Sequence, residues 1–260
     1  MICDLLGTPR VDGDRLDGWN DAMRSVTALP DAEVLAAVDE MTGYLTDLVA
    51  AKRARPGDDM LSVLIAARDE GDRLSEGELI SFCIVLLAGG YGTTADRLAG
   101  LVHLLLEQPG RYRLLCREPE RIPGAVEELL RYAQATVGAN LRVATRDVLL
   151  GGVKITEGEA VIALTSSANH DEDVYTEPAL LDLTRAAPAH LAFGHGAHFC
   201  VGAQLARVQL QEALAALAGR LPALRAAGPP DWKRGQITRA PRTLPVRWSA
   251  TSATSAVIEE

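Results

Sequence analysis

Leu191-Ala192-Phe193-Gly194-His195-Gly196-Ala197-His198-Phe199-Cys200-Val201-Gly202 is the stretch on which the reading of this 260-residue chain turns. It is a glycine-punctuated loop that delivers one cysteine to the start of a helix predicted over 202–218. Glycine admits positive φ and close backbone approach, so the loop is built for a tight path or a near neighbour. A thiol at a helix N-terminus lies in the positive end of the dipole, beside free N–H groups, and both favour thiolate. Three environments fit such a sulfur. It is a buried structural cysteine, a zinc ligand with His195 and His198, or an axial ligand to haem iron. The zinc option has no fourth ligand in a familiar spacing. Cys3, Cys83 and Cys116 sit among Leu, Ile and Val, where a free cysteine acts as a small buried hydrophobe, and no C-x-x-C pair occurs.

Two further segments carry chemistry. In Glu128-Leu129-Leu130-Arg131 the i, i+3 spacing puts a carboxylate and a guanidinium on one helix face. Taken alone this reads as a solvated ion pair, with partial burial allowed by the apolar flanks. Its arginine stays ionised, so the pair is architectural rather than catalytic. In Ala88-Gly89-Gly90-Tyr91-Gly92-Thr93-Thr94 the glycines interrupt an apolar helix, at about 1 kcal/mol each relative to alanine. Either a flat ligand lies against the helix or a neighbouring element packs closely there. A phosphate loop is disfavoured, because no Gly-Lys-Ser/Thr follows.

The rest of the chain reads as mainly helical with a small β region. Helices are predicted over 31–54, 60–68 and 111–116, and over a run in which Pro123 holds a first-turn position ahead of Val126, Leu129 and Leu130. Ser75 followed by Glu78 has capping-box spacing and opens a long helix from about Glu76, interrupted by the glycines, resumed at 98–106 and ended by Pro109. Val148 to Leu150 and Val153 to Ile155 flank Gly151-Gly152 as a hairpin, and Ala160 to Leu164 adds an extended run. The tail, 249–260, reads as disordered. Composition is that of an ordinary globular chain, 48% hydrophobic and 23% charged, with a net charge of −9 that disfavours nucleic acid and anionic lipid. No apolar run approaches the roughly 20 residues of a membrane span, which predicts a cytoplasmic protein without membrane contact.

In order and separation these segments resemble the cytochrome P-450 family of haem-thiolate monooxygenases, of the soluble bacterial type, from Met1 to about Trp248. Phe193-Gly194, Gly196, His198, Cys200 and Gly202 match its cysteine loop, Glu128 and Arg131 its Glu-x-x-Arg pair, and 88–94 its oxygen-binding helix. Further matches are Arg142 with Ala144-Thr145-Arg146-Asp147, the Gly151-Gly152 hairpin, and Ala168-Asn169-His170-Asp171. The resemblance implies the P-450 fold without its N-terminal helices and haem b held through the Cys200 thiolate. Propionates would be held by Arg142 and His198, with Gly89, Gly90, Phe193 and Gly202 also against the cofactor. Thr93 would steer protons, and Glu128 with Arg131 would brace the cysteine loop. It further implies a small-molecule substrate in secondary metabolism and a ferredoxin-type electron donor. A non-catalytic role as partner of another biosynthetic enzyme, or a non-redox rearrangement in the same pocket, are the alternatives.

Two departures from the family pattern stand out. Where the family has Asp or Glu before the helix threonine, this chain has Gly92, which predicts inefficient oxygen activation or a reaction that does not need it. Met1 to Gly7 resembles a segment the family places well inside its domain, so the first helices and substrate loops are expected to be missing, or the native start lies upstream.

Overall fold

A computed structural model describes residues 1–8, 13–71, 74–133, 140–186 and 189–249. Contacts divide the chain into two compact units, Met1–Arg97 with Lys233–Arg239, and Leu98–Trp232 with Ala240–Glu260. The division falls inside a helix rather than at a linker. The predicted tail beyond Ser249 lies outside the described residues.

The first unit holds α1 (Ile2–Leu5), α2 (Gly13–Met23), α3 (Asp31–Ala54), α4 (Met60–Gly71), α5 (Glu76–Tyr91) and the first turn of α6 (Thr93–Glu107). Helix α3 has the predicted bounds. Asp31 and Glu33 occupy its first turn and Lys52 and Arg53 its last, each sign facing the favourable end of the dipole. Its buried Met41, Leu45, Leu48 and Val49 pack with Leu6, Trp19, Leu79 and Leu87 into one core. At the start of α5 the capping box forms as read: Ser75 Oγ accepts from Glu78 N at 3.2 Å, and Glu78 accepts from Ser75 N at 2.7 Å.

The interruption expected over 88–97 shrinks to Gly92, the C-cap of α5. Gly89 and Gly90 stay helical because the propensity cost is small against packing. A Cβ on Gly90 would lie 2.8 Å from Ile2 Cδ1, so α1 lies close against the helix there; a Cβ on Gly89 meets no atom within 4 Å. Near-continuity has a second consequence. The run Glu76–Glu107 is long and apolar enough, by length and composition, to cross a membrane, against the expectation that no run approaches that length.

The second unit contains the rest of α6, α7 (Pro109–Arg117), α8 (Ile122–Tyr132), β1 (Asn140–Val143), β2 (Val148–Leu150), β3 (Val153–Ile155), β4 (Ala160–Ala163), α9 (Thr165–Ala168), α10 (Ala203–Arg220), β5 (Arg225–Ala226), β6 (Asp231–Trp232), β7 (Pro241–Thr243) and β8 (Val246–Arg247). Pro109 both follows the end of α6 and opens α7 at its first turn, where its missing N–H costs nothing. Leu101, Leu105, Leu115, Leu129, Leu210 and Leu214, from α6, α7, α8 and α10, form the core. Strand β2 pairs with β3 antiparallel across Gly151 (φ 56) and Gly152 (φ 80), both left-handed as a type I′ turn requires. Strand β1 pairs with β4, placing Arg142 opposite Val161. The β5–β8 and β6–β7 pairs carried no sequence signal, because strands of two or three residues are too short to show alternation.

The two glycines give opposite expectations. Gly89→Ala raises stability by up to about 1 kcal/mol from helix propensity. Gly90→Ala ends about 1–3 kcal/mol below Gly89→Ala through overpacking against Ile2. Urea unfolding of both variants checks this; equal midpoints would show that neither glycine is held by packing.

Candidate functional site

The cysteine loop of the second unit is folded by its own backbone. Gly194 (φ 76) and Gly196 (φ 77) are left-handed, a conformation that penalises any side chain. Gly194 N donates to Leu191 O, Phe199 N to Gly196 O and Cys200 N to Phe193 O, each at 3.0 Å. A single 3₁₀ turn, Gly196–His198, lies between them, and Gly202 is the N-cap of α10. The result presents Cys200 as an exposed, free thiol. That removes the buried-structural reading. The zinc reading fails as well: among the described residues no three His, Cys, Asp or Glu gather into a metal cage. Cys83, by contrast, is the buried hydrophobe expected of it, its thiol pushed up by burial to about 11.

The Glu128–Arg131 pair is fully buried, with both side chains 0% exposed, and this corrects the solvated reading. Arg131 Nε and Nη2 donate to the two carboxylate oxygens at 2.7 and 2.8 Å. Its Nη1 donates to the carbonyls of Asn169 (2.7 Å) and Pro178 (3.0 Å). Glu128 also accepts from Arg185 Nε at 3.2 Å and from the Asp182 backbone N–H at 3.1 Å. The pair therefore gathers the coil between α9 and the cysteine loop, and it reaches the loop through Asn169, whose Oδ1 accepts from Leu191 N at 2.8 Å.

Sequence reading missed a second cluster, centred on the neighbouring Glu127. Its oxygens accept from Arg207 Nε (2.8 Å) and Nη2 (3.0 Å), and its Oε2 meets His190 Nε2 at 3.2 Å. Burial alone would raise the Glu127 pKa, but the bonds from His190 and Arg207 outweigh it and hold the carboxyl down at about 2. The doublet Glu127-Glu128 was the available signal, since adjacent helical positions point to different neighbours.

Arg142 and His198 are exposed in the second unit, and Arg142 Nη1 donates to Leu141 O at 3.0 Å. Thr93 belongs to the first unit, where its hydroxyl donates to the Gly89 carbonyl. At position 92 the structure supplies a reason for glycine that the sequence did not: a Cβ there would lie 2.8 Å from the Arg24 guanidinium. Arg24 in turn donates to Asp96 Oδ2 at 2.8 Å, and Lys233 Nζ lies 3.1 Å from Asp96 Oδ1.

The residues present fit a haem. The second unit offers an exposed thiol flanked by Phe199 and Val201, themselves 48% and 74% exposed, as a flat apolar ligand requires. Arg142 and His198 supply exposed donors for carboxylates.

Breaking the buried pair leaves an uncompensated guanidinium. Glu128→Gln is expected to lower unfolding free energy by about 3–5 kcal/mol in urea melts. A loss under about 1 kcal/mol would mean the pair is replaceable by an ordinary hydrogen bond.

The model of the cytochrome P-450 family matches residues 30–220. Nocardicin C N-oxygenase of Nocardia uniformis subsp. tsuyamanensis is 46% identical over 252 residues, covering 95% of this chain and 63% of the relative. Mycinamicin IV hydroxylase/epoxidase of Micromonospora griseorubida is 42% identical over 252 residues, with 95% and 64% covered. The crystal structure of HinD with NMFT and NO superposes with a TM-score of 0.91 at 48% identity, over 95% of this chain and 64% of that one. The chain thus spans a little under two thirds of the length of these relatives. Matched by the family model over more than half its length, and by these relatives across nearly all of it, this chain belongs to the cytochrome P-450 family.

Proposed function

We propose that residues 1–248 are the cysteine-bearing part of a haem-dependent monooxygenase that hydroxylates or otherwise oxidises a small organic molecule of secondary metabolism. Its electrons come from a ferredoxin-type donor. The observation that carries this is the exposed, free Cys200 thiol on a loop whose backbone bonds and left-handed glycines fix it in place. Nocardicin C N-oxygenase and mycinamicin IV hydroxylase/epoxidase, by their names, carry out oxygenations, which supports the reaction class.

Cys200 would hold the iron, and Arg142 and His198 the propionates. Bound through a thiolate, haem supplies the oxidising chemistry, because the sulfur donates electron density that favours O–O cleavage. By the family resemblance Phe193, Gly202, Gly89 and Gly90 would also contact the cofactor. Thr93 would hold a proton at its hydroxyl for delivery. The whole acts in the cytoplasm: Asp96 and Arg97 interrupt the apolar run 76–107, and Asp96 is clasped by Arg24 and Lys233, an arrangement that a bilayer core disfavours.

A non-redox rearrangement in the same pocket is the second reading; the relatives, oxygenases by their names, do not favour it, and it rests on position 92 alone. Position 92 carries no acid, and the Arg24 guanidinium takes up the adjoining space.

Two measurements test the proposed ligand and the role of position 92. Haem-loaded protein, reduced under carbon monoxide, is expected to show the red-shifted band of thiolate ligation, and Cys200→Ser to lose it; an unchanged band in the serine variant would reject Cys200 as ligand. Gly92→Glu brings an acid to Arg24 and is expected to raise the fraction of consumed electrons that ends in product. Unchanged coupling would remove Gly92 as the cause of inefficient oxygen use.

A further inference from the structure

We infer that Glu127, His190 and Arg207 form a second brace, separate from the Glu128–Arg131 pair, that positions Phe193 and through it the Cys200 backbone. The inference rests on Cys200 being the axial ligand proposed above.

The contacts form a closed chain within the second unit. Glu127 on α8 grips the Arg207 fork of α10 with both oxygens, at 2.8 and 3.0 Å. Two parallel bonds fix the guanidinium plane as well as its position. That plane lies over the Phe193 ring, with Cζ 4.6 Å from the centroid, a distance at which the cation and the ring face attract. His190 closes the other side. Its ring centroid is 6.0 Å from that of Phe193, and its side chain is only 2% exposed. Nδ1 of His190 accepts from the Ala192 N–H at 3.2 Å, so the ring proton sits on Nε2 and is donated to Glu127 at 3.2 Å. One carboxylate thereby sets an arginine, a histidine tautomer and the backbone just ahead of Phe193.

Phe193 is where this matters for the sulfur. Its carbonyl receives the Cys200 N–H at 3.0 Å, and its ring meets Phe199 edge-on, with centroids 6.4 Å apart. Releasing the ring frees both the carbonyl that ties down Cys200 and the apolar wall beside it. Water then gains access to the thiolate, and outer-shell loosening of this kind weakens metal binding and shifts the redox potential. The Glu128–Arg131 pair cannot substitute, because its bonds run to the carbonyls of Asn169 and Pro178 and meet the loop only at its Leu191 end, through Asn169.

The test uses the full chain loaded with haem. Glu127→Gln and Arg207→Met are expected to lower haem affinity by about ten- to a hundred-fold. They should also move the ferric/ferrous midpoint to higher potential and convert the red-shifted carbon monoxide band faster than wild type. Arg207→Lys, which keeps the charge but not the fork, should fall between. The double variant should cost less than the sum of the two singles, because both break one network. Far-UV circular dichroism melts of the haem-free variants separate this from general unfolding, and His190→Gln gives an independent entry should Glu127→Gln fail to fold. Variants that fold, keep haem affinity within two-fold of wild type and leave the midpoint and band unmoved would overturn the brace. If wild type itself showed no red-shifted band when loaded, the axial-ligand reading would fall, and this one with it.

Discussion

The second unit depends on one buried ion pair. Glu128 and Arg131 lie a helical turn apart on α8 with no solvent contact, and two charges removed from water are tolerable only if every remaining donor and acceptor is used. The chain meets that demand by wrapping the coil between α9 and the cysteine loop around the pair, so the carbonyls of Asn169 and Pro178, the Asp182 amide and the Arg185 side chain all close on it. The described residues 169–186, with almost no regular secondary structure, are thereby ordered by electrostatics, and Leu191, where the loop bearing the thiol begins, is bound through Asn169.

Two consecutive glutamates divide the work. Glu128 faces the coil and Glu127 faces the loop, and each recruits an arginine distant in sequence, Arg185 and Arg207. Charge burial and loop geometry share an origin here: the bonds that make a buried charge tolerable are the bonds that hold the residues around the cysteine loop. In the first unit the central helix has a similar economy. Gly90 admits Ile2, Gly92 admits Arg24, and only Gly89 leaves its space unused by the described residues. Close packing therefore accounts for Gly90 and Gly92, and not for Gly89.

Much of this was legible beforehand. Helix α3, the Ser75 capping box and the Gly151-Gly152 hairpin follow from local rules, namely apolar periodicity, reciprocal hydrogen bonds and left-handed turn glycines, and local rules are written in neighbouring residues. The cysteine loop was legible for the same reason. What was misread depended on distant residues. The Glu128–Arg131 spacing looks the same whether the pair is wet or dry, and the strands of two or three residues after Leu224 exist only because a partner lies beside them.

The sequence by itself therefore determined the helices with their caps, the hairpin and the one cysteine set on a glycine-shaped loop, because each is specified by residues within a few positions of one another. Only the tertiary structure decided which carboxylate is dry, which glycines are thin for packing, and which arginine lies over Phe193. Burial, hydrogen-bond completion and ring contact are properties of residues that meet across stretches of chain, 38 positions for Arg131 and Asn169 and 80 for Arg207 and Glu127, and no local pattern encodes them.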